Sequence, residues 1–373
     1  MSEPCLVIFI DAYPFWALDG SRLRERLPIV RAVRPGFGYS INCQVELFAG
    51  KRPDEIGYWC EFSYQPDQAI VHNRALKTLD LFRRWRIPNR ACHRIVDKAL
   101  GKPTKDIPFA YLHYFAKSGK DMFSRDFPAD SILKRDGVCA FSYLDFPRSP
   151  NEEVRDRCII EAASRAVHGP PMRGIVAAIG DFDHAGHWYG PDSDPYWAVR
   201  DTSESQAIGL MDLFEHTHLN GTIIVISDHG MSPVDKCLNL NIERRFGTPR
   251  PERYIYFLEG SILRVWTADS ILRNEIQEFV SDFNDVEILT TEERARLGVK
   301  NPSFGDIIAV TDEGTMWVPS FWGAIPSKGM HGYHPRYERQ LGIFLSNRAI
   351  DNAPGTLDAA EVAGILNNMV PGN

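Results

Sequence analysis

Along this chain several short runs are apolar at every position. Cys5 to Ile10, Gly174 to Ile179 and Gly221 to Ile226 are rich in Val and Ile, which predicts strands buried on both faces, as in a parallel sheet covered by helices. Leu341 to Leu345 predicts another strand of the same core. Helical spacing of apolar residues marks Ser21 to Val30, Ile41 to Ala49 (stopped by Gly50), 75 to 87, 153 to 167, about 197 to 216, and Leu357 to Met369. The helix at 197 to 216 lies between two buried strands and so predicts a βαβ unit.

After Met231 the texture changes. Tyr254 to Leu258, Ser261 to Trp266 and Asp306 to Val310 read as short alternating strands, with a helix near 269 to 283. The stretch from 88 to 150 is mixed and aromatic and predicts peripheral helices. The pattern predicts an α/β core interrupted by an α+β cap. Core sequence spans 1–231, with a peripheral segment at about 60–150, then the cap spans 232–326, and the core resumes at 327–373. No repeat or low-complexity tract interrupts it.

The polar positions that matter sit where the apolar runs stop. Asp11 ends the first strand, and Asp228-His229 follows the strand ending at Ile226. In open α/β sheets the carboxyl ends of strands are where sites are built. Asp183 and His187 stand four residues apart among Gly186, Gly190 and Pro191, which predicts a glycine-rich loop. His331 lies between Met330 and Gly332. Taken singly, each has an ordinary explanation as a cap, a surface histidine or a turn pair. Together they are six Asp and His ligands of the borderline-hard kind that suits zinc or manganese, enough for two divalent ions. Ser40 closes the loop Arg34-Pro35-Gly36-Phe37-Gly38-Tyr39 and opens a predicted helix, whose N-terminal amides favour an anion. A lone serine there is usually an N-cap, but beside a metal it becomes a nucleophile.

Composition narrows the partners. The 373 residues carry a formal charge of −7 and are 44% hydrophobic, an ordinary globular balance without the basic face that a nucleic-acid polymer requires. The basic run Arg83-Arg84-Trp85-Arg86 reads as a solvated helix face. Seven scattered cysteines with no C-x-x-C pair exclude a disulfide framework and a thiolate zinc site. No apolar run reaches the roughly 20 residues of a membrane span, and the opening residues lack a signal-peptide pattern. The expectation is a cytoplasmic protein acting on a small molecule. Homo-oligomerisation stays open.

In order along the chain, Phe9-Ile10-Asp11, Ser40 with Ala49-Gly50-Lys51-Arg52-Pro53 to Gly57, Asp183-His184-Ala185-Gly186-His187 to Pro191, Ser227-Asp228-His229-Gly230-Met231 and Met330-His331-Gly332-Tyr333 resemble the motifs of the alkaline phosphatase superfamily, most closely its nucleotide pyrophosphatase/phosphodiesterase branch. The resemblance implies a three-layer α/β sandwich with a central, mainly parallel sheet. It implies one metal on Asp183, His187 and His331, a second on Asp11, Asp228 and His229, and Ser40 as a metal-bridged nucleophile. The implied reaction is hydrolysis of a phosphodiester or pyrophosphate through a phosphoseryl intermediate. Phosphomonoester or phosphonate hydrolysis, and a manganese-dependent phosphomutase, are the alternatives. One departure stands out. Family members often place threonine at the nucleophile position and asparagine three residues later, whereas this chain has Ser40 and Cys43, with Asn42 one place early. Asn42 and Cys43 are therefore the expected substrate or oxyanion contacts. Aromatic residues near the motifs (Trp16, Tyr58, Trp59, Trp188, Tyr189, Trp197, Trp322) and the cap segments Tyr254 to Phe257 and Trp317 to Trp322 are expected either to wall a leaving-group pocket or to pack the core.

Overall fold

The computed structural model describes residues 3–71, 74–82, 85–100, 104–117, 127–142, 153–350 and 355–370. Arg83 and Arg84 lie outside the described residues, as do parts of the 88–150 stretch. Two compact units emerge: residues 1–52, 120–233 and 327–373 form the first, and 53–119 with 234–326 form the second.

The first unit is an α/β sandwich around a seven-stranded sheet. Its strands are β1 (Cys5–Ile10), β2 (Ile29–Arg34), β3 (Val138–Ser142), β4 (Gly174–Ile179), β5 (Thr222–Ile226), β6 (Gly342–Ser346) and β7 (Thr356–Asp358), in the order β7-β2-β6-β5-β1-β4-β3. β1 runs parallel to both neighbours, with Phe9 opposite Ile226 and Ile10 opposite Ile179. β6 alone runs antiparallel to its two partners, so the sheet is mainly parallel. All six β1 residues are fully buried because helices cover both faces. Leu6, Ile8 and Ile10 pack toward α2 (Glu153–Val167) and α4 (Asp194–Thr217), while Phe9 meets Phe48 of α1 (Ser40–Ala49) on the other side. On that other side α1 packs on α5 (Ala359–Met369).

Local chemistry overrides two of the expected helices. Ser21 to Val30 is helical only over Arg22–Arg26; the Ser21 hydroxyl accepts the Leu23 N–H at its start, and Pro28 forces Leu27 into extended backbone. The β-branched Ile29-Val30 then open β2. In place of one helix at 75–87 there is a 3₁₀ segment at Arg74–Phe82 and a separate α-helix at Arg86–Leu100. Within the stretch expected to hold peripheral helices, Val138–Ser142 is the sheet's edge strand β3; it is half-buried, so it lacks the all-apolar signature of the central strands.

The second unit is α+β. Ile255–Leu258, Ile262–Trp266, Ile307–Thr311 and Val286–Ile288 form an antiparallel sheet with the helix Ser270–Ser281 packed on it. A two-stranded pair, Phe62–Tyr64 with Phe115–Lys117, joins the same apolar core. Tyr254, Phe257 and Trp317 are fully buried there, and Tyr256 nearly so. They pack the unit's interior.

Candidate active site

Three neighbouring parallel strands deliver the ligands. Asp11 is the first residue past β1, and Asp228 lies two residues past β5 on one side. On the other side β4 leads through Gly180 into α3 (Asp181–Tyr189), which carries Asp183 and His187 one turn apart on one face. The expected loop at this point is thus a helix. Gly186 sits inside it for a packing reason: a Cβ there would lie 2.7 Å from Met231 Cε. His331 follows the two-residue strand Gly329–Met330, which pairs with Ser232–Pro233 just past Asp228-His229. Gly230 is required as well, because a Cβ would fall 2.1 Å from the Arg339 carbonyl.

Two groups of ligand atoms gather: Asp183, His187 and His331, and Asp11, Asp183 and His229, with ligand atoms within 4.8 Å of one another in each. Asp228 Oδ2 is 3.5 Å from His229 Nε2, so it adjoins the second group. Main-chain carbonyls fix two of the imidazoles. His187 Nδ1 lies 2.9 Å from the Gly329 carbonyl and His229 Nδ1 lies 2.9 Å from that of Gly230. A carbonyl only accepts, so Nδ1 carries the proton and Nε2 turns a lone pair inward. Those lone pairs face carboxylate oxygens, at 3.4 Å for His187 and Asp183 and 3.6 Å for His229 and Asp11. Lone pairs facing carboxylates repel unless a cation sits among them. Asp11 Oδ1, Asp183 Oδ1 and His331 Nδ1 are buried without a hydrogen-bond partner among the described residues. The donor set and its orphaned atoms fit divalent ions.

The electrostatics agree. Burial, and then the neighbouring Asp228 and Asp183, push the Asp11 carboxyl well above its usual range. Burial also raises Asp228, against the opposing pull of His229. His331 is driven far down by burial and by the imidazoles of His229 and His187; its ring stacks on His229 at 3.9 Å. A cluster of like charges in low dielectric is costly without compensating cations.

Ser40 is the first residue of α1, with Tyr39 at the N-cap position, so its hydroxyl is not a cap. Its Oγ stands 3.0 Å from His229 Nε2. Asn42 and Cys43, expected as oxyanion contacts, spend a side-chain donor each on the loop. Both are buried; Asn42 Nδ2 donates to the Phe37 carbonyl at 2.9 Å and the Cys43 thiol to that of Gly36 at 3.3 Å. These contacts anchor the loop before Ser40. Of the aromatic residues, Trp59 and Tyr58 are buried, Trp16 packs with Tyr196 and Trp197, and Trp188 and Tyr189 are exposed.

Two supporting residues escaped the sequence reading. Asp156 of α2 is buried and accepts the Gly180 and Asp181 N–H groups at 3.0 and 2.9 Å, capping α3, whose own N-cap Gly180 has no side chain. Glu204 of α4, also buried, takes the Tyr13 hydroxyl at 2.5 Å and the Arg22 N–H at 3.0 Å, and Tyr13 packs on Phe182 of α3. No motif marks either acid.

The sequence profile described as type I phosphodiesterase / nucleotide pyrophosphatase matches residues 117–334, more than half of the chain. The chain belongs to this family. It is accordingly a hydrolase acting on phosphoric ester bonds. No curated protein sequence matches it. Among solved structures, murine ectonucleotide pyrophosphatase/phosphodiesterase 5 is 16% identical, aligned over 100% of this chain and 97% of that one, with a TM-score of 0.69. Phosphonoacetate hydrolase from Sinorhizobium meliloti 1021 is 13% identical over 99% and 96%, also with a TM-score of 0.69. At such identities the likeness shows the shared phosphodiesterase-type fold.

Proposed function

We propose that this phosphodiesterase-family chain cleaves a phosphodiester or pyrophosphate with two divalent ions, zinc or manganese, through a phosphoseryl intermediate on Ser40. The observation that carries this reading is the set of inward Nε2 lone pairs facing buried carboxylates beside the Ser40 hydroxyl. Asp183, His187 and His331 would hold one ion, and Asp11, Asp228 and His229 the other. When bound, such ions lower the pKa of a coordinated hydroxyl and neutralise charge on phosphoryl oxygens.

The chain's own residues supply the rest. Ser40 Oγ gives its proton to solvent and attacks phosphorus in line, the P–O bond to the leaving group breaks, and that oxygen leaves with a proton from solvent. Water then attacks the phosphoseryl group, releases the phosphate product and regenerates the hydroxyl. Asn42 and Cys43 N–H groups are spent on the Tyr39 carbonyl, at 3.0 and 3.2 Å, which leaves the first-turn amides of Ser40 and Ile41 to meet the equatorial oxygens. The Gly230 and Gly329 carbonyls hold the imidazoles in the tautomer that ligates.

A phosphonate hydrolase is the second reading, favoured by the equal fold likeness to phosphonoacetate hydrolase and by the missing asparagine at position 43. A panel of nitrophenyl monoesters, diesters and phosphonates decides, using chelated protein reloaded with zinc or with manganese. Diester turnover that chelation abolishes and metal restores, at close to two ions per chain, is the expected result. Phosphonate turnover exceeding diester turnover selects the second reading, and full activity after exhaustive chelation ends both.

A further inference from the structure

Five of the ten large apolar side chains exposed among the described residues fall between positions 81 and 95 of the second unit. They are Leu81, Phe82, Trp85, Ile87 and Ile95, with Ile87 82% and Ile95 69% exposed. Such a concentration on one short stretch marks an interaction surface. The helix Arg86–Leu100 shows how it is presented. Val96 and the stacked pair His93–Phe109 bury one face against the unit's core, with Cys92 and Leu100 alongside. The opposite face exposes Ile87, Arg90, Ala91, Arg94, Ile95, Lys98 and Ala99. The helix has one acid, Asp97, and its carboxylate is taken by the Thr104 N–H and hydroxyl at 2.7 and 2.5 Å. In a chain of net charge −7, this face is cationic and apolar at once.

We propose that this face docks on a membrane surface, with Arg90, Arg94 and Lys98 on anionic headgroups and Trp85, Ile87 and Ile95 sunk beside them. Charge and shape favour that occupant. A polyphosphate backbone would pair with the cations but leave the isoleucines in water. A second copy meeting the face through a two-fold axis would oppose the same three cations. A headgroup layer satisfies both chemistries: phosphates take the cations, and the interface takes tryptophan and branched aliphatics. No helix among the described residues is long and apolar enough to cross a bilayer, so the contact would be peripheral.

The test is co-sedimentation of the full-length, metal-loaded protein with vesicles of phosphatidylcholine alone or with one-quarter phosphatidylserine. Binding to the anionic vesicles, weakened by salt, is expected. The variant Arg90→Gln/Arg94→Gln/Lys98→Gln should partition on the order of 100-fold less, at roughly fivefold per cation removed. Ile87→Ser/Ile95→Ser should weaken binding with charge unchanged. Unaltered melting temperature and ester turnover show that each variant is folded. Failure of the native protein to bind anionic vesicles, or equal binding by folded variants, overturns the proposal. Retention on an acidic helical peptide without vesicle binding, or self-association abolished by the same substitutions, overturns it too by assigning a different partner.

Discussion

Each unit buries a polar cluster, and the two solve the same problem in opposite ways. In the first, Asp11, Asp183 and Asp228 converge with three imidazoles, and among the described residues no lysine or arginine forms an ion pair with them. The Asp11 and Asp228 carboxyls are pushed up by burial, and buried oxygens of all three go unpaired. In the second, Glu61 takes Lys105 at 2.5 Å and Lys117 at 3.1 Å, and buried Glu259 takes Arg264 at 3.3 Å. Burial alone would raise Glu61, but the two ammonium groups hold it below its usual range; Glu259 stays raised by burial, with Arg264 pulling it back. One cluster supplies its own cations; the other would be completed by the divalent ions proposed above. Buried carboxylates therefore mark a site here only where the compensating charge is missing.

The largest expected difference concerns chemistry. Ser40→Ala should keep its fold and metal content yet lose on the order of 10³-fold or more in turnover, since the proposed nucleophile stands in the first cluster. Steady-state rates with elemental analysis check this. A variant keeping above a tenth of native turnover removes Ser40 from the reaction.

Next comes stability, where the clusters should answer with opposite signs. Arg264→Met strands the buried Glu259 carboxylate and also loses the bond from Arg264 Nη2 to the Phe62 carbonyl at 2.9 Å, so it should cost about 3–5 kcal/mol. Asp228→Asn removes a disfavoured charge, so it should stabilise the metal-free chain by about 1 kcal/mol while abolishing metal binding at that position. Urea unfolding of chelated protein measures both. Destabilisation by Asp228→Asn of the same size as that by Arg264→Met would erase the contrast.

A smaller effect should come from outside the ligand set. Asp156→Ala removes the acceptor for both first-turn amides of α3 and so loosens Asp183 and His187 together. Metal affinity at the Asp183, His187 and His331 group should fall about 10- to 100-fold, and Asp156→Asn should fall less. Titration with a fluorescent metal indicator, compared with the melting temperature of metal-free protein, separates positioning from general stability. Equal loss at both metal positions in proportion to melting temperature would assign Asp156 a structural role alone.

What the sequence disclosed follows from how local each signal is. Asp11 and Asp228-His229 were legible because an apolar run and the ionisable residue ending it are contiguous. The Asp183 to His187 segment was misread as a loop because the reason for Gly186 is Met231, forty-five residues away. That Asn42 and Cys43 also hold the loop to the Phe37 and Gly36 carbonyls is not visible in their residue types. Likewise Phe62–Tyr64 pairs with Phe115–Lys117 across a long excursion with no periodic signature. Asp156 and Glu204 look like ordinary helix-surface acids until the fold buries them.

The smallest effect sharpens the comparison from the self-neutralised side. Burial brings the Lys105 ammonium down to about 8, with Glu61 opposing, and its Nζ also lies over the Trp322 ring at 2.8 Å from the centroid. A lysine whose folded pKa is lowered is penalised while protonated. The penalty is complete below pH 8 and is relieved as pH rises from about 8 toward the unfolded value of 10.5. Across that window the native chain should therefore gain stability relative to Lys105→Met. The side chain is one-fifth exposed, so the gain is discounted to about 1 kcal/mol. Glu61 runs the other way: its lowered pKa contributes stability above the unfolded carboxylate pKa, and that stability is lost as pH falls through the folded value. Native protein and Lys105→Met should thus diverge at alkaline pH, and native protein and Glu61→Gln at acid pH. Parallel stability curves for native protein and Lys105→Met from pH 7 to 10 would mean that Lys105 is solvated and the second cluster no more than a surface ion pair.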